Sequence, residues 1–97
     1  MTESVTRNDA EGRYELRVDG ELAGIAEFTI EDDLATFTHT ELDESYRGRG
    51  LAALLAGDAL ADAVAQNLRI VPLCPYIARY LRSHDVPGAV VERPQRA

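Results

Sequence analysis

Lysine is absent from these 97 residues: all ten basic side chains are arginine, against 17 Asp and Glu, for a formal charge of −7. A chain this acidic lacks the basic face that phosphate backbones require, so no nucleic-acid partner is expected. Without lysine there is no Schiff-base chemistry and no Walker-type phosphate loop. Tryptophan is missing too, and the one cysteine, Cys74, permits neither an internal disulfide nor a cysteine-rich metal site. No metal is expected. No apolar run approaches the ~20 residues that span a bilayer, and the N-terminus carries no signal-peptide pattern. A soluble, cytoplasmic chain with no membrane partner is the expectation. An acidic surface attracts cationic partners such as amines; composition bias or a saline cytoplasm is the plainer reading.

What remains is enough for one modest core. Apolar residues make up 45% of the chain, which suits a single globular domain. That domain is expected over residues 13–97, with residues 1–12, polar and aperiodic, as a frayed tail. From Arg13 the pattern alternates, Tyr14, Leu16 and Val18 against Glu15 and Arg17, as in a half-buried strand. Asp19-Gly20 supplies a type I′ hairpin turn into a second strand over residues 21–30, with Ala26, Phe28 and Ile30 on one face. Glu31-Asp32-Asp33 then turns the chain into a third strand over residues 34–40. Strict alternation there places Phe37, His39 and Glu41 on one face and Thr36, Thr38 and Thr40 on the other. These three strands form an antiparallel meander.

A helix is expected over residues 50–66, its Asp58, Asp62 and Gln66 making one narrow polar stripe on an otherwise apolar rod. Residues 68–73, with Ile70, Val71 and Leu73, read as a strand that the helical crossover lets lie parallel to the third. Pro75 suits the first position of a second helix running to about Ser83, which puts Cys74 at its N-cap. Residues 89–91 read as loop or a short strand. The order β-β-β-α-β-α belongs to an α+β or mixed α/β sandwich.

The stretch Tyr46-Arg47-Gly48-Arg49-Gly50-Leu51-Ala52 joins two arginines and two glycines to the start of the long helix. Glycines allow close backbone approach, and the first amides of a helix point back into such a loop. The combination is an anion cradle, most often for phosphate; the plainer alternative is a glycine-containing turn with two solvated arginines. Cys74 at a helix N-terminus is either a nucleophile favoured by the helix dipole or a buried structural cysteine. His39, with Glu41 two residues on, is either a general base, for an amine or a thiol, or a polar cap on the sheet edge. His84 reads as a helix terminator. Tyr76 and Tyr80 read as packing residues with one polar tip; a tyrosine can also serve as a general acid.

Arg47-Gly48-Arg49-Gly50-Leu51-Ala52 resembles the acyl-CoA signature of the GNAT superfamily of N-acetyltransferases, Arg/Gln-x-x-Gly-x-Gly/Ala, at Arg47, Gly50 and Ala52. Taken with Phe37-Thr38-His39-Thr40-Glu41 and with Cys74-Pro75-Tyr76 and Tyr80, it is similar to the minimal single-domain members of that superfamily. The resemblance runs from about Arg13 to His84. It implies a GNAT-like acyl-CoA N-acyltransferase fold and acetyl-CoA as cofactor, held in the V between diverging strands by Arg47, Gly48, Arg49, Gly50, Leu51, Ala52 and Tyr80. It implies an enzyme that transfers an acetyl group to an amine, a small molecule or a protein lysine, directly or through Cys74, with His39 and Glu41 completing the catalytic set. Cys74 stands where an asparagine is frequent, and Leu81 where a tyrosine often is. The alternatives are a non-catalytic CoA-binding module and a binder of some other nucleotide. A monomer or a homodimer is expected.

Overall fold

A computed structural model describes residues 2–92. The elements are β1 (Glu3–Asn8), β2 (Arg13–Val18), β3 (Glu21–Glu31), β4 (Leu34–Leu42), a 3-10 turn (Glu44–Tyr46), α1 (Leu51–Ala65), β5 (Arg69–Pro72) and α2 (Pro75–Ser83). The five strands form one sheet in sequence order. The first four are antiparallel and β5 joins β4 in parallel, as the crossover through α1 requires. The fold is α+β, a mixed sheet with two helices.

The expected tail is a strand. Residues 3–8 pair along their length with β2, Glu3 opposite Val18 and Asn8 opposite Arg13. The hairpin closes where Glu11 N donates to Asn8 Oδ1 and Gly12, at φ +66°, donates to Asp9 O. Only Val5 of β1 is apolar, so the strand is held less by burial than by its ladder to β2, with polar ties from Arg7 of β1 and Tyr14 of β2 meeting on α1. Arg7 Nη1 reaches Asp62 Oδ2 at 3.1 Å, and the hydroxyl of Tyr14 donates to the same oxygen at 2.7 Å. Asp62 is thus half-buried and engaged, a correction to its expected place on a solvated stripe. Asp19 (φ +51°) and Gly20 (φ +86°) form the expected left-handed pair between β2 and β3.

Tyr14, Leu16 and Val18 of β2, with Ala26 and Phe28 of β3 and Ala35 and Phe37 of β4, face Leu51, Leu55, Ala59, Leu60 and Ala63 of α1. Leu16, Leu55, Leu60, Ile70 and Ile77 are fully buried, each worth about 1.5–3 kcal/mol of transfer free energy. The rings of Tyr14 and Phe28 meet at 5.0 Å. α1 ends as its sequence dictates: Asn67 takes φ +61° and Leu68 N closes on Ala63 O, a left-handed helix stop. Arg69 then pins the start of β5 to the β3–β4 turn through both Asp33 carboxylate oxygens, and also reaches Glu92. Of the short strand considered at 89–91, a single parallel bridge forms, Ile70 with Val91.

The register of β3 against β4 positions the site. Glu27 pairs with His39, yet Phe28 pairs with Phe37, so Thr38 is an extra residue on β4, a β-bulge. Beyond it the faces exchange. Thr40 and Leu42 pair with Ala26 and Gly24 on the helix-covered side, whereas His39 and Glu41 pair with Glu27 and Ile25 on the open side. Strict alternation from Phe37 had predicted the reverse, and the bulge is the physical reason it fails.

Candidate functional site

β4 and β5 are paired only as far as Phe37 and Pro72; one further bond, Cys74 N to Phe37 O at 2.8 Å, closes the ladder. From Thr38 to Leu42 the β5-facing edge of β4 has no strand partner among the described residues. The bulge bends β4 at the point where pairing stops, and the chain after β5 turns into α2. A gap results.

A cavity of about 380 Å³ opens along that gap, within the size range of small-molecule clefts. Thr40 and Leu42 form its β4 wall, Tyr76 comes from α2, and Arg47, Gly48, Gly50, Leu51, Ala52 and Ala53 form the end at the start of α1. Gly50 is the N-cap of α1 at φ +72°, offers no capping side chain, and is followed by no acidic residue in the first turn. The amides of Leu51, Ala52 and Ala53 therefore lack intrahelical acceptors by helix geometry, at the positive end of the dipole. Gly48 takes φ +82°, and a Cβ at either glycine would meet nothing within 4 Å. The space over the loop is open to an anion, which is the arrangement expected of a phosphate cradle. Arg47 lies at its rim, and the Arg49 guanidinium rests 5.8 Å over the Tyr46 ring. Asp43 caps the preceding 3-10 turn, and the Ser45 hydroxyl, with the Ser45 amide, holds its carboxyl below the usual range.

Cys74 is the N-cap of α2. Its side chain is buried, 4% exposed, and Sγ donates to Thr40 Oγ1 at 3.5 Å. Thr40, not the sulfur, borders the cavity. Tyr76 does border it, and burial, reinforced by Tyr80, raises its phenol pKa, so at neutral pH it is an O–H donor.

Among the predicted residues, then, the structure gathers Arg47, Gly48, Gly50, Leu51 and Ala52 around one cavity and sets Cys74 just behind its wall. His39 is not brought to Cys74. It lies on the open face, half-exposed, with Nε2 3.6 Å from Glu41 Oε1, and Glu41 borders a second cavity of about 390 Å³ with Arg13, Ile25 and Asp43. Cys74 meets Thr40, on the opposite face of β4 from His39. Tyr80 does not border the cavity either. It packs over Gly57, where an added Cβ would lie 2.7 Å from its hydroxyl, and stacks on His84 at 4.0 Å. Thr40 was missed because alternation put it on the wrong face. The signal was present, since apolar Phe37 and Leu42 have opposite parity and no unbroken strand buries both on one side.

A mixed sheet whose edge splays beside a glycine loop opening a helix is the architecture of the GNAT-like fold. The family model of the GCN5-related N-acetyl-transferases matches residues 13–88, and the chain belongs to that family. It is similar to Protein NATD1 of Homo sapiens and of Gallus gallus, 41% identical to each over 49 residues. That match covers 50% of this chain and 43% and 44% of those proteins, so the matched part spans less than half the length of these curated relatives. A GCN5-like chain from Staphylococcus aureus superimposes with a TM-score of 0.68 at 15% identity, covering 95% of this chain and 90% of that one. The ribosomal-protein-S18-alanine N-acetyltransferase of Escherichia coli gives 0.65 at 16% identity, over 79% of this chain and 53% of that one. At such identities the likeness is one of fold.

Proposed function

We propose that this chain is an acetyl-CoA-dependent N-acetyltransferase that acts by direct transfer to an amine. The observation that carries the proposal is the uncapped first turn of α1, Leu51 to Ala53, facing with Gly48, Gly50 and Arg47 into one cavity that runs along the unpaired edge of β4. Three or four charge-assisted bonds from such amides, at roughly 1.5–3 kcal/mol each, suffice to hold a diphosphate. The β4 edge offers main-chain groups to the amides of a pantetheine arm, as an added strand would use them. Bound acetyl-CoA would supply an activated acyl thioester. The chain's part is to fix the diphosphate, to align the arm, and to leave the acyl end near Thr40, Tyr76 and Cys74.

The acceptor side is the open face. His39 and Glu41 stand there on the segment of β4 that borders the gap, which suits His39 to take a proton from an amine approaching across the sheet. Glu41 and Asp43 at the second cavity, together with the net charge of −7, favour a cationic amine. The burial of Cys74 behind Thr40 favours direct transfer over an acetyl-Cys74 route.

Thermal-shift titration with CoA, acetyl-CoA and ATP tests the reading. At 100 times Kd a ligand contributes about 2.7 kcal/mol, and the expected result is stabilisation by CoA and acetyl-CoA. Stabilisation by ATP with none by CoA would assign the cradle to another nucleotide. Acetyl-CoA binding without transfer to any of a panel of diamines, polyamines and lysine peptides would make the chain a binding module. Intact mass after incubation with acetyl-CoA is expected to be unchanged; one added acetyl group lost in Cys74→Ala would restore the covalent route.

A further inference from the structure

We propose that the Thr40 hydroxyl is a catalytic hydrogen-bond donor to the acyl carbonyl of the thioester, aimed by the thiol of Cys74. The inference rests on acetyl-CoA occupying the cavity at the start of α1 and goes beyond that occupancy to a residue and a task. A hydroxyl carries one proton and two lone pairs. Cys74 Sγ donates to Thr40 Oγ1 at 3.5 Å, which fills one lone pair from the protein side. Among the described residues no acceptor takes the proton of Thr40 itself, and its side chain borders the cavity. That proton is left available to the cavity, where an acyl carbonyl would meet it.

The same contact accounts for a cysteine that is buried and is not placed to attack. Cys74 is held at the α2 N-cap by its own amide on Phe37 O. That anchor is the last bond before β4 and β5 part, so the thiol sits at the apex of the gap. Thr40 is brought opposite by the bulge at Thr38; without the extra residue, its hydroxyl would lie on the open face. Cys74 is thus a positioning residue, acting through Thr40.

In the step served, the amine lone pair adds to the carbonyl carbon and forms the C–N bond. The C–S bond breaks and its electron pair leaves on the CoA sulfur. The nitrogen's proton passes to the base on the open face, and the sulfur takes a proton from solvent. Thr40 lends a hydrogen bond to the oxygen on which negative charge builds and retains its own proton throughout.

The test uses acetyl-CoA labelled with ¹³C at the carbonyl, observed by NMR on the whole chain. In the native protein the bound carbonyl resonance is expected downfield of free acetyl-CoA, as hydrogen bonding requires. In Thr40→Val, which keeps the shape and drops the hydroxyl, acetyl-CoA affinity is expected to fall by no more than about tenfold, the range of one neutral hydrogen bond, while the downfield shift disappears. Thr40→Ser is expected to keep the shift. Cys74→Ala, an independent variant should Thr40→Val fail to fold, is expected to bind with the resonance moved part of the way back. Equal resonances at saturation in the native protein, Thr40→Val and Cys74→Ala overturn the role of Thr40 and leave the acetyl-CoA site standing. Absence of acetyl-CoA binding by the native protein overturns both.

Discussion

Replacing Gly50 by alanine separates the strain of the cradle from its use. Gly50 caps α1 at φ +72°, ψ 11°, a left-handed conformation that costs a residue with a Cβ roughly 1–2 kcal/mol. The new methyl meets no atom within 4 Å, so packing adds nothing to that cost. The smaller entropy of the unfolded alanine variant returns about 0.4–1 kcal/mol. The net loss is about 1 kcal/mol, or a Tm about 4–8 °C lower for a domain of this size. Ligand binding is expected to suffer more. The methyl stands over the loop where a diphosphate would approach, and loss of one charge-assisted amide bond, about 1.5–3 kcal/mol, weakens CoA roughly 10- to 100-fold. Calorimetric melting and isothermal titration with CoA read the two effects apart. A lowered Tm with native CoA affinity would refute the placement of the diphosphate; an unchanged Tm would refute the left-handed cap.

Gly24 presents the opposite case, since a Cβ there would lie 2.8 Å from the backbone oxygen of Glu41. Gly24→Ala is expected to cost about 1–3 kcal/mol by overpacking and to lower the denaturation midpoint with no change in m-value. Tyr14→Phe removes the 2.7 Å bond between β2 and Asp62 of α1; at a carboxylate that is partly exposed the loss is expected near 1 kcal/mol, read as a lowered denaturation midpoint. Among the described residues, three carboxyl groups are held below their ordinary pKa, Glu15 by Arg13 with Asn8 and Arg17, Asp33 by Arg69, and Asp43 by Ser45. A lowered folded-state pKa contributes stability above the unfolded value and forfeits it as pH falls through the folded value. Tm is therefore expected to decline from about pH 4.5 downward, and Glu15→Gln to decline less steeply over the same range. Tyr14 has the reverse sign: burial, then Asp62, raises its phenol pKa, so stability is expected to fall as pH rises past the ordinary tyrosine value near 10, a loss absent in Tyr14→Phe.

The elements legible in the sequence are those with local grammar. Asp19-Gly20, Pro75 after Cys74, and Gly50 before an alanine-rich run each specify backbone geometry through one or two residues, and all three stand where expected. The parallel pairing of β5 with β4 followed from the length of the crossover. β1 was illegible as a strand because its stability is not local: Val5 is its only apolar residue, and the side-chain tie that joins it to α1, Arg7 on Asp62, spans 55 residues of chain. The turn residues Asn8, Asp9 and Gly12 that close its hairpin were the available signal. Their composition resembles that of a disordered tail just as well.

The site was half-legible for a related reason. A glycine loop announces itself by residue type, whereas the side chain that faces the ligand depends on a single inserted residue in a strand. Period-two reasoning has no tolerance here, because one extra residue exchanges every side chain beyond it between faces. Thr38 does this, carrying His39 and Glu41 to the open face and Thr40 to the cavity wall. The exchange divides the chemistry. A protein whose base and thiol shared a face would be built for a covalent route. An arrangement with His39 and Glu41 on one face of β4 and Thr40, with Tyr76 and the glycine loop, at the other suits the direct transfer proposed above, in which two substrates would arrive from opposite faces. Deleting Thr38 would restore alternation and exchange those faces again, so it is expected to abolish CoA binding as well as transfer, whereas His39→Ala should weaken transfer and leave CoA affinity as it is.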